Sequence, residues 1–370
     1  MNIGIVGCGN ISSIYLENGK LLKDLSIVAC ADLDMSRAQA QAQKYGVPRA
    51  CTVEELMADP SIEAVLNLTI PHAHCSVDLQ AIAAGKHVYG EKPLAVTRAQ
   101  GTQVLDAARE KKLRVGSAPD TFLGGAIQTC VKLIDDGAIG DPVAASAFML
   151  CRGHETWHPD PEFYYQPGGG PMFDMGPYYL TALVALLGPV RRVCGATRTT
   201  FARRTITSQP KQGQVITVNT PTHLAGTIDF AGGAVATMIT SFDVHAHHLP
   251  PIEIYGTEGS MRVPDPNSFG MDLDTLHPIE LWRSSTGTWE NVQYTHGYCT
   301  NSRGVGLADM ARAIRTGRDH RANGEMAAHV LDIMQACIDS SQQGRHVELQ
   351  STCMRPRPFP VGLKNGEVDD

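Results

Sequence analysis

The chain opens Met1-Asn2-Ile3-Gly4-Ile5-Val6-Gly7-Cys8-Gly9-Asn10-Ile11-Ser12, and the reading of this stretch decides the fold. Residues 3–6 read as a strand and residues 11–22 as a helix. Between them stands a G-x-G-x-x-S turn. The first glycine permits the tight turn. The second lets a pyrophosphate approach the backbone at the helix N-terminus. The third position needs only a small side chain, so Ser12 is a mild departure from the usual glycine. A lone motif of this kind is weak, but here a strand precedes it and a helix follows. Gly7, Gly9, Asn10 and Ile11 are therefore read as cofactor-binding. Asp32 ends the next strand, roughly 20 residues past the glycines, where an acidic group accepts ribose hydroxyls. A carboxylate there repels a 2′-phosphate, and Leu33 beside it offers no phosphate donor. The expected cofactor is NAD rather than NADP, with Arg37 the nearby cation that bears on the choice.

The alternation continues outward. Residues 27–31, 64–69, 87–89 and 114–117 read as further strands; 36–45, 77–84 and 97–111 read as helices. This order predicts βαβ units, a parallel sheet and right-handed crossovers. The pattern changes near residue 120. After a helix at 126–136, β-rich segments at 143–150, 192–201, 223–230, 234–242, 252–255 and 279–282 alternate apolar and polar residues. That is the pattern of an antiparallel sheet with one solvated face. Helices at 178–187, 305–316 and 325–342 complete the reading. The expected architecture has three parts. An α/β Rossmann domain spans 1–120. An α+β domain with a large, mostly antiparallel open sheet spans 121–345, for substrate binding and oligomerisation. A tail over 346–370 is read as an extended arm or frayed end.

Composition sets the outer bounds. A chain of 370 residues, 43% apolar and 19% charged, suits a soluble protein of two domains or one large one. A net charge of −7 without a basic stripe argues against nucleic acid and anionic membranes as partners. No apolar run reaches ~18 residues, so no membrane span is expected. The ten cysteines are scattered, without a C-x-x-C pair, and no basic segment leads into an apolar run at the start. Unpaired thiols in a cytoplasmic protein are expected.

The most specific stretch is Ala83-Ala84-Gly85-Lys86-His87-Val88-Tyr89-Gly90-Glu91-Lys92-Pro93-Leu94-Ala95. Lys92 falls just past the C-terminal end of a parallel strand, on the edge where such sheets bind ligands. An ammonium there can hydrogen-bond a substrate hydroxyl and stabilise the alkoxide as hydride leaves. Burial beside a nicotinamide is expected to lower its pKa and so allow proton exchange. The stretch resembles the strand-and-turn signature of the Gfo/Idh/MocA oxidoreductases, the glucose–fructose oxidoreductase and inositol dehydrogenase family. Upstream, Asn67-Leu68-Thr69-Ile70-Pro71-His72-Ala73-His74 resembles that family's threonine-proline loop with a following histidine. Downstream, residues 132–142 resemble its domain-crossing helix and turn. The resemblance runs from residue 1 to about 345. It implies that Thr69, Pro71, His74, Glu91 and Lys92 lie at the cofactor, and that Lys92 polarises the reacting hydroxyl.

Gly168-Gly169-Gly170-Pro171-Met172-Phe173-Asp174-Met175-Gly176-Pro177-Tyr178 resembles the family's motif of glycines, an aspartate and, four residues on, a histidine. Asp174 matches the aspartate. Tyr178 stands where the histidine is usual, so the resemblance leaves the proton-transfer partner open. Positions 174 and 178 share a face if helical. Pro177 suits only a first helical turn, which makes Asp174 a candidate N-cap as well. Lys92, Asp174 and Tyr178 are the candidate catalytic residues. The loop Arg152-Gly153-His154-Glu155-Thr156-Trp157-His158-Pro159 adds His154 and His158, to bind substrate hydroxyls or to replace the missing histidine. Asp120, at the end of the last Rossmann strand, is placed to touch ligand or to cap the helix that follows. His245-Ala246-His247-His248 lacks a matched carboxylate or cysteine cluster, and no metal is expected.

These readings converge on NAD-dependent hydride transfer at a secondary alcohol of a sugar, glycoside or cyclitol, by a homodimer or homotetramer. Two alternatives share the scaffold. One is an NAD-dependent glycosidase working by transient oxidation, elimination, water addition and re-reduction. The other is a non-catalytic NAD-binding sensor.

Overall fold

The computed structural model describes residues 1–272 and 275–370. The first part alternates strand and helix: β1 (Asn2–Val6), α1 (Ser12–Gly19), β2 (Ser26–Ala31), α2 (Met35–Tyr45), β3 (Arg49–Cys51), α3 (Val53–Ala58), β4 (Ala64–Asn67), α4 (Pro71–Ala83), β5 (His87–Gly90), α5 (Arg98–Glu110) and β6 (Val115–Ser117). All six strands run parallel, in the order β3-β2-β1-β4-β5-β6. The strand order reverses between β1 and β4, which opens a crevice at their C-terminal ends. β3 and α3 are additions to the sequence reading. β3 is three residues long, too short for a periodicity signal, and α3 is marked by its Thr52–Glu55 capping box.

The second part follows with α6 (Gly125–Asp135), β7 (Pro142–Leu150), α7 (Gly170–Asp174), α8 (Gly176–Leu187), β8 (Val190–Arg198), β9 (Arg203–Thr205), β10 (Val215–Thr217), β11 (His223–Phe230), β12 (Val235–Ser241), β13 (Ile252–Gly256), β14 (Gly259–Val263), β15 (Met271–Asp272), β16 (Thr275–Leu276), β17 (Ile279–Arg283), β18 (Trp289–Val292), α9 (Val305–Thr316), α10 (Gly324–Gln343) and β19 (Val347–Glu348). Nine of these strands form one open sheet, β18-β17-β14-β13-β7-β12-β11-β8-β19. It is antiparallel except where β12 lies parallel to β7. Alternation sets its two faces. In β12, Ala236, Met238 and Thr240 are buried, while Val235, Thr237 and Ile239 lie toward the other face. α8, buried along almost its whole length, packs with α6 and α10 between the sheets.

The tail is extended and docked. Phe359 and Val368 are buried. Asp369 pairs with Arg321 at 2.8 Å and Arg357 at 2.5 Å. α9 and α10 contact β6, so the later chain returns to brace the first sheet. Cys8, Cys30, Cys51, Cys75, Cys130, Cys337 and Cys353 are buried, and all ten thiols are free. Among the described residues no helix is long and apolar enough to cross a membrane.

Candidate active site

The glycine turn sits at the crevice. Gly7 has φ +99°, and a Cβ there would meet the Leu68 carbonyl at 2.7 Å, so only glycine fits. A Cβ on Gly9 would meet nothing within 4 Å; the space over it is open toward the start of α1. Ser12, fully buried, donates from its hydroxyl to the Gly9 carbonyl at 2.6 Å and so stiffens the turn. Asn10 is exposed and Ile11 half-buried beside it. Asp32 binds this loop from the end of β2. Its carboxylate accepts the Cys8 N–H at 2.7 Å and the Asp34 N–H at 2.9 Å. Leu33 is fully exposed, and Arg37 lies 3.6 Å from Asp34.

Lys92 follows β5. The Glu91 N–H extends the parallel ladder to the Asn67 carbonyl at 2.9 Å. The Glu91 carboxylate then accepts the Tyr15 hydroxyl at 2.8 Å and the Lys92 N–H at 3.0 Å. His74 lies beneath the turn, with ring nitrogens 2.7 Å from the Pro93 carbonyl and 3.0 Å from that of Thr69. It is buried, and both nitrogens are engaged. His74 thus holds the loop from below. Thr69 and Pro71 stay half-buried at the start of α4, where Pro71 occupies the first turn.

The Lys92 ammonium reaches Asp174 twice, at 2.7 Å to its carbonyl and 2.9 Å to Oδ1. Asp174 ends α7, and a short break separates it from α8. Its side chain caps neither helix, which corrects the N-cap expectation. Both oxygens face the site instead. Gly170, with φ +76°, starts α7 against the Pro221 carbonyl, where a Cβ would meet that oxygen at 2.7 Å. The expected lowering of the Lys92 pKa is also corrected. Burial alone would push it down, but Asp174, then Tyr178 and Glu91, outweigh burial and hold it above the usual lysine range. Burial likewise opposes ionisation of Asp174, yet Lys92 and then His154 hold that carboxyl at about 2. In this arrangement the Lys92 ammonium is held charged beside Asp174.

His154 completes the group. Its Nε2 lies 2.8 Å from Asp174 Oδ2. The Trp157 indole N–H donates to its Nδ1 at 3.1 Å. An indole nitrogen can only donate, so Nδ1 is the acceptor and Nε2 carries the hydrogen toward Asp174. Tyr164 and Phe242 pack on the ring with centroids 4.4 and 4.6 Å away. The loop behind it is riveted by Glu155, which pairs with buried Arg204 at 2.7 Å and accepts the Tyr165 hydroxyl. Arg204 also pairs with Asp243. His158 sits one turn outward, half-buried, with Nδ1 accepting the Asp160 N–H at 3.0 Å. It does not reach Asp174 directly.

Tyr178 lies on α8, with the Lys92 ammonium 5.1 Å from its ring centroid. Its hydroxyl accepts from Arg303 at 3.5 Å. Arg303, just before α9, carried no motif and was missed in the sequence, as were Trp157 and Tyr15 as partners. Asp120 is buried; its Oδ2 accepts the N–H groups of Gly304 (2.8 Å) and Gly306 (3.0 Å) at the start of α9, not at the helix that directly follows it, while its Oδ1 has no hydrogen-bond partner. Burial raises its pKa to about 6. His245, His247 and His248 are exposed, and among the described residues no cluster of three metal-ligating side chains occurs.

Residues 1–118 match the model of an oxidoreductase family with an NAD-binding Rossmann fold, and residues 127–262 match the GFO/IDH/MocA C-terminal domain. The chain belongs to the Gfo/Idh/MocA oxidoreductase family. Among curated relatives, myo-inositol 2-dehydrogenase of Thermotoga maritima is 27% identical over 47% of this chain, a match spanning 51% of that enzyme. D-xylose 1-dehydrogenase (NADP(+)) 2 of Haloferax volcanii is 25% identical over 94% of this chain and all of its own. Levoglucosan dehydrogenase, solved with NADH, superposes with a TM-score of 0.81 at 20% identity, covering 95% of this chain and 99% of that one. At that identity the last match speaks to the fold alone.

Proposed function

We propose that this Gfo/Idh/MocA member oxidises a secondary alcohol of a carbohydrate or cyclitol with NAD, or reduces the corresponding ketone. The observation that carries the reading is the Lys92–Asp174–His154 chain at the crevice, with Tyr178 beside Lys92. The open space over Gly9 and the carboxylate of Asp32 fit a dinucleotide. Gly7, Gly9, Asn10 and Ile11 would hold its pyrophosphate, Asp32 its adenosine ribose, and Thr69, Pro71 and Glu91 the approach to Lys92. Relatives named for NADP occur in the family, so Asp32 is the residue expected to decide the preference. NAD bound there supplies the hydride acceptor.

The chain's own residues handle the proton. Lys92 donates a hydrogen bond to the reacting hydroxyl and stabilises its developing negative charge. Asp174 keeps Lys92 ionised and aimed. His154, with its tautomer set by Trp157, orients Asp174 and is not itself the acceptor. Tyr178, within reach of Lys92 and Arg303, relays the hydroxyl proton toward solvent. The outer face of the large sheet carries Val235 and Trp289, 46% and 39% exposed. It is the surface proposed to join two or four copies, a mass that light scattering would read directly.

The deciding experiment is an NADH-absorbance screen over sugars, glycosides, inositols and sugar acids, with product analysis and a Lys92→Ala control. The expected result is substrate-dependent NADH, reduced on the order of a hundredfold or more by Lys92→Ala while NAD binding persists. Near-normal turnover in that variant would refute the assignment. Free aglycone without net NADH would turn the reading to a glycosidase. Tight NAD binding with no turnover across the screen would turn it to a sensor.

A further inference from the structure

Arg303 stands apart from the other cations of the site. It is half-buried. It donates to Asn301 Oδ1 at 2.9 Å and Asn267 Oδ1 at 3.0 Å, and to Tyr178 at 3.5 Å, the outer limit of a hydrogen bond. All three acceptors are neutral. Lys92 has Asp174, and Arg204 has Glu155 and Asp243. Among the described residues no carboxylate lies within ion-pair distance of Arg303. The Glu91 carboxylate, which accepts the Tyr15 hydroxyl and the Lys92 N–H, favours the charged form of Arg303 but forms no ion pair with it. A half-buried cation whose hydrogen bonds all go to neutral acceptors can take up an anion without first breaking an ion pair.

The side chain also starts from a fixed base. Asn18 of α1 donates to the carbonyls of Asn301 (3.0 Å) and Arg303 (2.9 Å). Asp120 holds the next N–H groups. From there the guanidinium reaches Tyr178, whose ring lies against Lys92. A group bound to Arg303 therefore sits next to the proposed position of the reacting hydroxyl.

We propose that Arg303 binds a carboxylate of the substrate, so that the favoured substrates are polyhydroxy acids such as aldonates and uronates. The inference rests on the reading of Lys92 and Tyr178 as the reacting-hydroxyl site. A guanidinium offers a planar fork of donors that matches a carboxylate, and the long Tyr178 contact is the one most easily exchanged for it. A hydroxyl a few bonds from that carboxylate then meets Lys92.

The test uses the full-length protein loaded with NADH. Binding of D-gluconate and of D-glucitol is followed by NADH fluorescence and by calorimetry, in the wild type, Arg303→Met and Arg303→Lys. The wild type should prefer the acid. Arg303→Met should lower the acid-to-neutral affinity ratio roughly 10- to 100-fold. Arg303→Lys, which keeps the charge but not the fork, should fall between them. An unchanged ratio overturns the proposal. So does a loss of NADH affinity with the ratio intact, which would assign Arg303 to the cofactor. If Arg303→Met does not fold, Arg303→Lys and the wild-type preference decide, and a wild type that favours the neutral polyol overturns it. Acid binding that depends on Arg303, in a protein that oxidises no alcohol, would sink the dehydrogenase reading and leave only the contact between Arg303 and a carboxylate standing.

Discussion

Asp174→Asn probes the hub of the site. The carboxylate accepts Lys92 on Oδ1 and His154 on Oδ2. Asparagine keeps the shape but presents one acceptor oxygen to two donors. His154 cannot answer with a lone pair, because its Nδ1 is committed to the Trp157 N–H. One donor must then face an amide NH2, and Lys92 loses its counter-charge. The magnitude follows from linkage. A carboxyl held at about 2 in the fold, against roughly 3.9 when unfolded, contributes about 2.6 kcal/mol at neutral pH. Breaking a fully buried pair costs about 3–5 kcal/mol. The two side chains remain 16% and 12% exposed, so the lower end applies. A loss of about 2–3 kcal/mol is expected. The signs at the two pH extremes differ. The depressed Asp174 pKa stabilises the fold above about pH 4, and that contribution fades as pH falls through about 2. The raised Lys92 pKa stabilises the fold below about pH 10.4, and that contribution fades as pH climbs beyond it. The gap between wild type and variant should therefore be level from about pH 5 to 9 and narrow outside that window. Urea unfolding followed by intrinsic fluorescence at three pH values inside it reads the gap. A loss below about 1 kcal/mol at pH 7, or a severalfold change across the window, would show that Asp174 and Lys92 are not coupled as described.

Two further substitutions test the neighbours. Tyr178→Phe keeps the ring against Lys92 but removes the proton-bearing oxygen, and kcat should fall roughly 10²- to 10⁴-fold with little change in melting temperature; full kcat would place the relay elsewhere. Asp32→Ser removes the charge that repels a 2′-phosphate, so the NADP-to-NAD ratio of kcat/KM should rise by roughly tenfold or more, and an unchanged ratio would remove Asp32 from cofactor selection.

Much of the first sheet was legible because its signals are local. The glycine turn, the strand before it and the Glu-Lys-Pro turn each depend on neighbours a few residues away. Strand order and the crevice follow from the alternation of strand and helix. The short β3 and the β9–β10 hairpin escaped notice because three-residue strands carry too little periodicity to register. In the site, the motif located Asp174 and Tyr178 but left open whether Asp174 also caps a helix. Pro177 suggested a cap, whereas a break between α7 and α8 frees both Asp174 oxygens.

Sequence by itself determined that this chain folds around a Rossmann sheet with Lys92 at its ligand-binding edge, because glycine geometry and strand ends are short-range properties. Tertiary structure alone decided what surrounds that lysine. Asp174 meets it from 82 positions away and reverses the direction of its pKa shift. His154 rather than His158 joins Asp174, because Trp157 and the Glu155–Arg204 pair hold its loop in place. His74 and Asp120, apt by position, turn inward to satisfy buried backbone groups. Arg303 arrives from 125 positions beyond Tyr178. Such pairings depend on charge and burial across the folded chain, and no spacing along the sequence encodes them.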